Sequence, residues 1–243
     1  MKDFLNDFIQ YTHGIGVIEL IKVSGTTKET QISSVTEDKS VLITGTLKTP
    51  HPEFVGTFGM PNLDKLKIIL SFEDYEKDSI INAVKETRDN VESLTTIHFE
   101  SKNKTFVNDY RLMSKAIVED KIPTFAFKGT TWDVEFEPSI VGIQRFKRQA
   151  SALSDTPHFI AKTDNGDLRF YFGDPSTHSG NCVFHNGVQG TLSKQWKYPI
   201  KAFQAIMDIP GDKVFRFSER GAAEITIDSG LANYSYLFPA QTK

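Results

Sequence analysis

The sequence predicts an α+β protein built from two similar halves, each with two short helices packed on antiparallel sheets. Apolar residues recur at helical spacing in four places, beginning near Lys2, Leu63, Ser139 and Ile200. Alternating apolar and polar runs, bounded by turn residues, fill the stretches between them. The order helix, strands, short helix, three strands is stated twice. In both halves the second helix starts roughly 60 residues after the first, a repeat of architecture rather than of letters. The halves fall at 1–120 and 129–243, with an exposed linker at 121–128 where Pro123 follows a charge cluster.

In the first half, Lys2 to His13 reads as an amphipathic helix. Phe4, Leu5, Phe8, Ile9 and Thr12 form its buried stripe, and Lys2, Asn6, Gln10 and His13 face away. Strands are expected at Val17–Val23, Thr30–Val35, Ser40–Leu47 and Phe54–Met60. Pro61-Asn62 then opens a helix whose Leu63, Leu66, Ile69 and Leu70 share one side. Ile80–Lys85, Leu94–Glu100 and Thr105–Met113 read as hairpin strands, turning at Arg88-Asp89-Asn90 and Lys102-Asn103-Lys104. Val118–Pro123 breaks the pattern and reads as exposed linker.

Phe125–Phe127 and Trp132–Phe136 resume strand-like alternation. Ser139 can cap the next helix, with Gly142, Ile143, Phe146, Ala150 and Leu153 on one side and Gln144, Arg145, Lys147, Arg148 and Ser151 on the other. His158–Thr163 and Asp167–Gly173 flank Asp164-Asn165-Gly166, a strong hairpin signal. Asn181–Asn186 and Val188–Leu192 complete the strands. Pro199 suits a first helical turn, because a helix start does not use its missing N–H. Ile200, Phe203, Ile206 and Met207 make the buried face, and Pro210-Gly211 stops the helix. Three alternating runs close the chain: Val214/Phe217, Ala223/Ile225/Ile227 and Tyr234/Tyr236/Phe238.

Composition narrows the function classes. The 243 residues carry 12% aromatics, 19 of them Phe, enough for one large core or two. The net charge of −3 gives no global pull toward nucleic acid, so any such surface must come from local sorting of the 28 Lys and Arg. The single Cys182 excludes an intramolecular disulfide and suits a reducing cytoplasm. The first residues lack a secretory pattern, and no run approaches the roughly 18 apolar residues of a membrane span.

The doubled order, the ending Ala-Asn-Tyr-Ser-Tyr-Leu-Phe-Pro-Ala and the segment Met207-Asp208-Ile209-Pro210 before a strand together resemble the DNA polymerase sliding clamps. Length and sparse charge are most similar to the clamps of T-even-type bacteriophages. The resemblance implies two DNA-clamp domains per chain and a closed homotrimeric ring with the helices lining a central hole. It also implies duplex DNA, a replicative polymerase and an ATP-driven clamp loader as partners, and by the phage likeness transcription factors. It implies no cofactor and no membrane, and a place in the cytoplasm (of the host, if phage-encoded).

A ring-lining helix should bury one face and offer cations on the other. Lys65 and Lys67, then Arg145, Lys147 and Arg148, then Lys194, Lys197 and Lys201 fit that role. They would meet phosphates without base readout. The resemblance also implies a pocket for a partner's hydrophobic C-terminal peptide, at Ile122, Pro123, Pro210, Tyr236, Phe238 and Pro239.

Enzyme and metal signatures do not emerge from the residues. His178, Cys182 and His185 lack an evident fourth ligand for zinc. Asp164-Asn165-Gly166-Asp167 is better explained as a turn than as a calcium loop. There is no phosphate loop and no nucleophile with a paired base. The alternative to a clamp is a non-enzymatic, β-rich phage structural protein of the tail or baseplate type, which has no need of basic helix faces.

Overall fold

The computed structural model describes residues 1–76, 78–88, 91–124 and 129–240. In chain order the elements are α1 (Lys2–Tyr11), β1 (Leu20–Gly25), β2 (Thr30–Val35), β3 (Leu42–Leu47), β4 (Gly56–Pro61), α2 (Leu63–Leu70), β5 (Ile80–Arg88), β6 (Val91–Glu100), β7 (Val107–Arg111) and α3 (Lys115–Lys121). There follow β8 (Val134–Phe136), α4 (Ile140–Ala152), β9 (His158–Asp164), β10 (Asp167–Gly173), β11 (Ser179–His185), β12 (Lys197–Pro199), α5 (Ile200–Asp208), β13 (Lys213–Ser218), β14 (Ala222–Asp228) and β15 (Ala232–Pro239).

The chain divides into two units. One comprises Met1–Val35, Ile43–Ala126 and Ser229–Tyr234; the other comprises Thr36–Leu42, Phe127–Asp228 and Ser235–Lys243. The first carries the strand run β4-β1-β2-β3 and the sheet β5-β6-β7. The second carries β12-β9-β10-β11 and the run β15-β14-β13-β8.

The same topology is therefore used twice, down to its register. Leu20 pairs with Pro61 and His158 with Pro199, a displacement of 138 positions for both members (20 to 158, 61 to 199). Val23 pairs with Ile32 and Ala161 with Phe170, at the same displacement. That displacement carries Phe8 onto Phe146, each fully buried on the inward face of its helix.

Local chemistry explains the helix ends. Ser139 caps α4 by accepting a hydrogen bond from the Gly142 N–H at 3.0 Å. Gly142 also lies so close to the Phe184 carbonyl of β11 that a Cβ would come within 2.2 Å of its oxygen, so only glycine lets α4 sit this near the strand. The core of the second unit is a cluster of phenylalanines. Phe146 lies 5.2 Å from Phe159, 5.4 Å from Phe172 and 5.6 Å from Phe203.

Several expectations need correction. Val118–Pro123 is not an exposed linker throughout. Lys115–Lys121 is helix, and Val118 and Ile122 are buried. These two residues are four apart and share a helix face, so the charged Glu119-Asp120-Lys121 between them is the solvent side of a short amphipathic helix. His13 does not face away. It is buried, with Nδ1 2.7 Å from the Ile18 carbonyl. Val17 precedes the first strand and is exposed. Val188–Leu192 forms no strand; Leu192 is held through its carbonyl and N–H by Thr163, at 3.0 and 2.9 Å. The strand beside β9 is Lys197–Pro199, and Pro199 caps α5 rather than opening its first turn. The expected strand at Phe125–Phe127, the end of the linker to Lys128 and the Asp89-Asn90 turn lie outside the described residues.

Candidate nucleic-acid interface

Each unit turns the outer faces of two helices to solvent, and the faces differ in charge. On α1 the exposed residues are Asp3, Asn6 and Gln10, and Lys2 spends its ammonium on the Tyr75 carbonyl at 3.1 Å. On α2, Lys65 and Lys67 are exposed, accompanied by Asp64 and Ile68. On α4, Arg145 and Arg148 are exposed beside Gln144, and on α5 Lys201 is exposed. Side chains of one sign on a solvated helix face can meet a phosphate backbone by charge alone.

The sequence-predicted cations do not all remain available. Lys147 is half-buried and ion-paired to Asp208, which ties α4 to the end of α5. Arg145 Nη1 donates to the Val183 carbonyl of β11 at 3.2 Å. Lys194 is in a loop rather than on a helix, with its ammonium 5.8 Å from the Trp196 ring centroid. That loop is pinned by Glu219, which accepts from the Ser193 N–H at 2.9 Å. The Glu219 carbonyl accepts from Trp196 Nε1 at 2.8 Å. Lys197 is exposed within β12, where its register partner is Ile160.

The residues expected to receive a partner peptide are also split by burial. Tyr236 and Phe238 point inward and are fully buried, with the Phe238 ring 5.3 Å from Phe203. Alternation along β15 therefore turns Ser235, Leu237 and Pro239 outward. Within the tail Tyr236-Leu237-Phe238-Pro239, which the resemblance assigns to the partner side, the outward residues are thus Leu237 and Pro239. Pro210 is exposed in the turn after α5. Lys213 braces that turn by donating to the carbonyls of Ile209 and Gly211, the latter at 2.9 Å. Burial lowers the Lys213 pKa, Asp212 and Asp208 oppose the shift, and Lys147 adds to it. Pro123 is exposed, whereas Ile122 is buried and its carbonyl accepts from Lys22 Nζ at 2.8 Å.

Lys22 is a residue that the sequence reading did not single out. It sits in β1 with Ile21 and Val23 on either side, and it is buried. Burial lowers its pKa, against the attraction of Glu119. Among the described residues, no three His, Cys, Asp or Glu side chains are grouped to hold a metal ion, and no helix is long and apolar enough to cross a membrane. His185 lies with its ring 4.6 Å from Phe136.

No protein-family model matches the chain, and no curated protein matches it. A solved structure does: the C-terminal region of FEN-1 bound to A. fulgidus PCNA aligns over 100% of this chain and 96% of that one, with a TM-score of 0.68. The chain has a sliding-clamp fold. The sequence identity is 10%, so the likeness resides in backbone arrangement and not in shared side chains. The α+β architecture expected from the doubled element order is the architecture found.

Proposed function

We propose that the protein is a sliding clamp, a non-enzymatic ring that encircles duplex DNA and tethers a replicative polymerase. The observation that carries this reading is the twice-used topology, with matching register, in a chain whose whole length aligns with a clamp structure. On this reading 1–120 and 129–243 are the two clamp domains, and 121–128 joins them. The ring is a homotrimer opened by an ATP-dependent loader. The phage type, transcription factors as further partners and a cytoplasmic place belong to the same proposal. The phage structural alternative draws no support from the matched fold.

Arg148, Lys201, Lys65 and Lys67 carry the contact with phosphates, helped by Lys194 and Lys197. Lys147 contributes less because Asp208 shares its charge, and Arg145 because its guanidinium is turned to Val183. Retention by a ring is topological, so each phosphate contact can be weak. The solved neighbour is a PCNA holding the C-terminal region of a partner; a partner's apolar C-terminal peptide is proposed for this chain too. The residues proposed to receive it are Ile122 and Pro123 in the first unit and Pro210, Tyr236, Leu237, Phe238 and Pro239 in the second. Tyr236 and Phe238 act from beneath, as the packed floor.

The test is polymerase extension on primed circular DNA with the cognate loader. The protein should lengthen products, and Arg148→Glu with Lys201→Glu should shorten them again without lowering the melting temperature. Failure to stimulate the polymerase would remove the clamp reading.

A further inference from the structure

Among the described residues Lys22 is the one buried lysine, and the contacts proposed with DNA do not use it. Its neighbours Ile21 and Val23 in β1 are 0% exposed, so Lys22 leaves the opposite face of the sheet. There its register partners are Gly59 of β4 and Ser33 of β2, and the next row on that face is Thr57, Ser24 and Gln31. Glycine and serine at these places leave a hollow in the sheet surface, and α3 lies over it.

Three contacts hold the helix there, all within the first unit. Before α3, Met113 and Gly59 exchange both main-chain hydrogen bonds, at 2.9 and 2.8 Å. Within α3, the buried Val118 sits over Gly59, where a Cβ would come within 2.8 Å of the Val118 Cγ2. After α3, Lys22 Nζ donates to the Ile122 carbonyl at 2.8 Å. The last two contacts are made by residues directly opposite each other on β4 and β1. A helix of seven residues is too short to persist by itself, and Ser114 gives it no side-chain cap. The ammonium of Lys22 meets its carbonyl end, where the helix dipole favours a cation. Glu119 of α3 supports that charge against the burial that opposes it.

The internal repeat shows this arrangement to be an addition to the shared plan. The displacement of 138 carries Lys22 to Ile160, Gly59 to Lys197, Ser33 to Tyr171 and Ser24 to Lys162. The second unit thus has large side chains at the positions that the first keeps small, and an isoleucine in place of the lysine. The helix that uses the space in the first unit leads straight into Ile122 and Pro123.

We infer that Lys22 and Gly59 are positioning residues for partner binding. They seat α3 and so fix where Ile122 and Pro123 stand, the residues that the first unit supplies for a partner's peptide. This rests on the clamp reading above. Lys22 is buried and acts through the Ile122 carbonyl, while Pro123 is exposed. With α3 unseated, the segment carrying Pro123 has no fixed origin. Ordering it then costs free energy at the moment the partner binds, which weakens binding without removing any contact.

Hydrogen exchange and a polymerase titration test this together. In Lys22→Met the amides of residues 115–122 should exchange about tenfold faster or more, since a hydrogen bond to a charged group is lost, while those of α1 and α2 hold. On protein loaded onto primed circular DNA, the polymerase concentration for half-maximal extension should rise about tenfold, with the parent's product length at saturating polymerase. Lys22→Gln keeps an N–H donor without the charge and should fall between the two. Gly59→Ala, which presses on Val118 instead, should reproduce both effects and keeps the test open if Lys22→Met does not fold. Phe8→Ala loosens the same unit away from α3 and should leave the half-maximal concentration where it is. Unchanged exchange in Lys22→Met, or faster exchange with no shift in the polymerase titration, overturns the inference and leaves the clamp reading standing. An equal shift in Phe8→Ala also overturns it, because general loosening would then suffice. A parent protein that does not stimulate the polymerase overturns both.

Discussion

Phe8 and Phe146 occupy equivalent places in the two units, and what surrounds them differs. Phe146 packs among Phe159, Phe170, Phe172, Phe184 and Phe203, whereas Phe8 meets the ring of Phe54 at 5.9 Å. Among the described residues the buried Asp, His and Lys side chains, Asp7, His13, Lys22 and His51, all lie in the first unit. One backbone plan thus carries a dense phenylalanine cluster around Phe146 in the second unit, and in the first a looser aromatic packing around Phe8 together with more buried polar groups. Apolar burial is indifferent to pH and tolerant of exact partners. Buried polar groups are neither, because each depends on a partner that must stay in place and in the right protonation state.

The largest break in this comparison should come from truncating the aromatic centre. Phe146→Ala should cost about 3–5 kcal/mol in a denaturant titration, since it empties the middle of a packed cluster. Phe8→Ala should cost less, and equal losses would mean that the aromatic cluster adds nothing beyond ordinary burial. Next is the buried lysine. Lys22→Met removes the donor that satisfies the Ile122 carbonyl at the end of α3 and should cost about 1–3 kcal/mol. Unaltered stability would show that water or another donor replaces it.

Smaller effects should appear as pH dependence at two buried groups of the first unit. Burial lowers the His51 pKa below its ordinary 6.5, the N-terminal ammonium adds to this, and Glu53 opposes it. The unfolded chain then binds the proton more readily, so the stability His51 contributes is complete above about pH 6.5 and is lost as pH falls below it. Asp7 has the opposite sign. Burial raises its pKa above 3.8, despite hydrogen bonds from Tyr234 and Ser229, so its contribution is present at low pH and fades as pH rises through the folded value. Melting curves from pH 5 to 7 should slope less for His51→Gln than for the parent; identical slopes would remove His51 as the cause. Smallest is the loss of a single phosphate contact. Arg148→Glu should reduce the slope of log affinity against log salt by about one, and Asn6→Glu on α1 should change it less. Equal changes would erase the charge difference between the helix pairs.

Much of this plan was legible in the sequence where the signal is local. The bounds Leu63–Leu70, Thr30–Val35 and Asp167–Gly173 follow from apolar spacing and adjacent turn residues. The short helix at Lys115–Lys121 was not legible, since two buried residues with three charges between them look like a linker. Nor was Lys197–Pro199 as a strand, because three residues cannot display an alternation. Cation positions on the helices could be read from period alone. Their partners could not: Asp208 lies far along the chain from Lys147, and only packing of α4 against α5 brings them together. Tyr236 and Phe238 could be assigned to a partner pocket because the alternation of a strand gives two faces, Tyr236 with Phe238 and Leu237 with Pro239, and composition does not say which face meets the core.

The central claim is a ring held on DNA by topology rather than by affinity. It is tested most directly by loading the protein onto nicked circular DNA with its loader, washing at high salt and then cutting the circle. The account predicts that the protein stays on the closed circle through the wash and leaves once the DNA is linear. Loss during the wash, or retention after the cut, would contradict it.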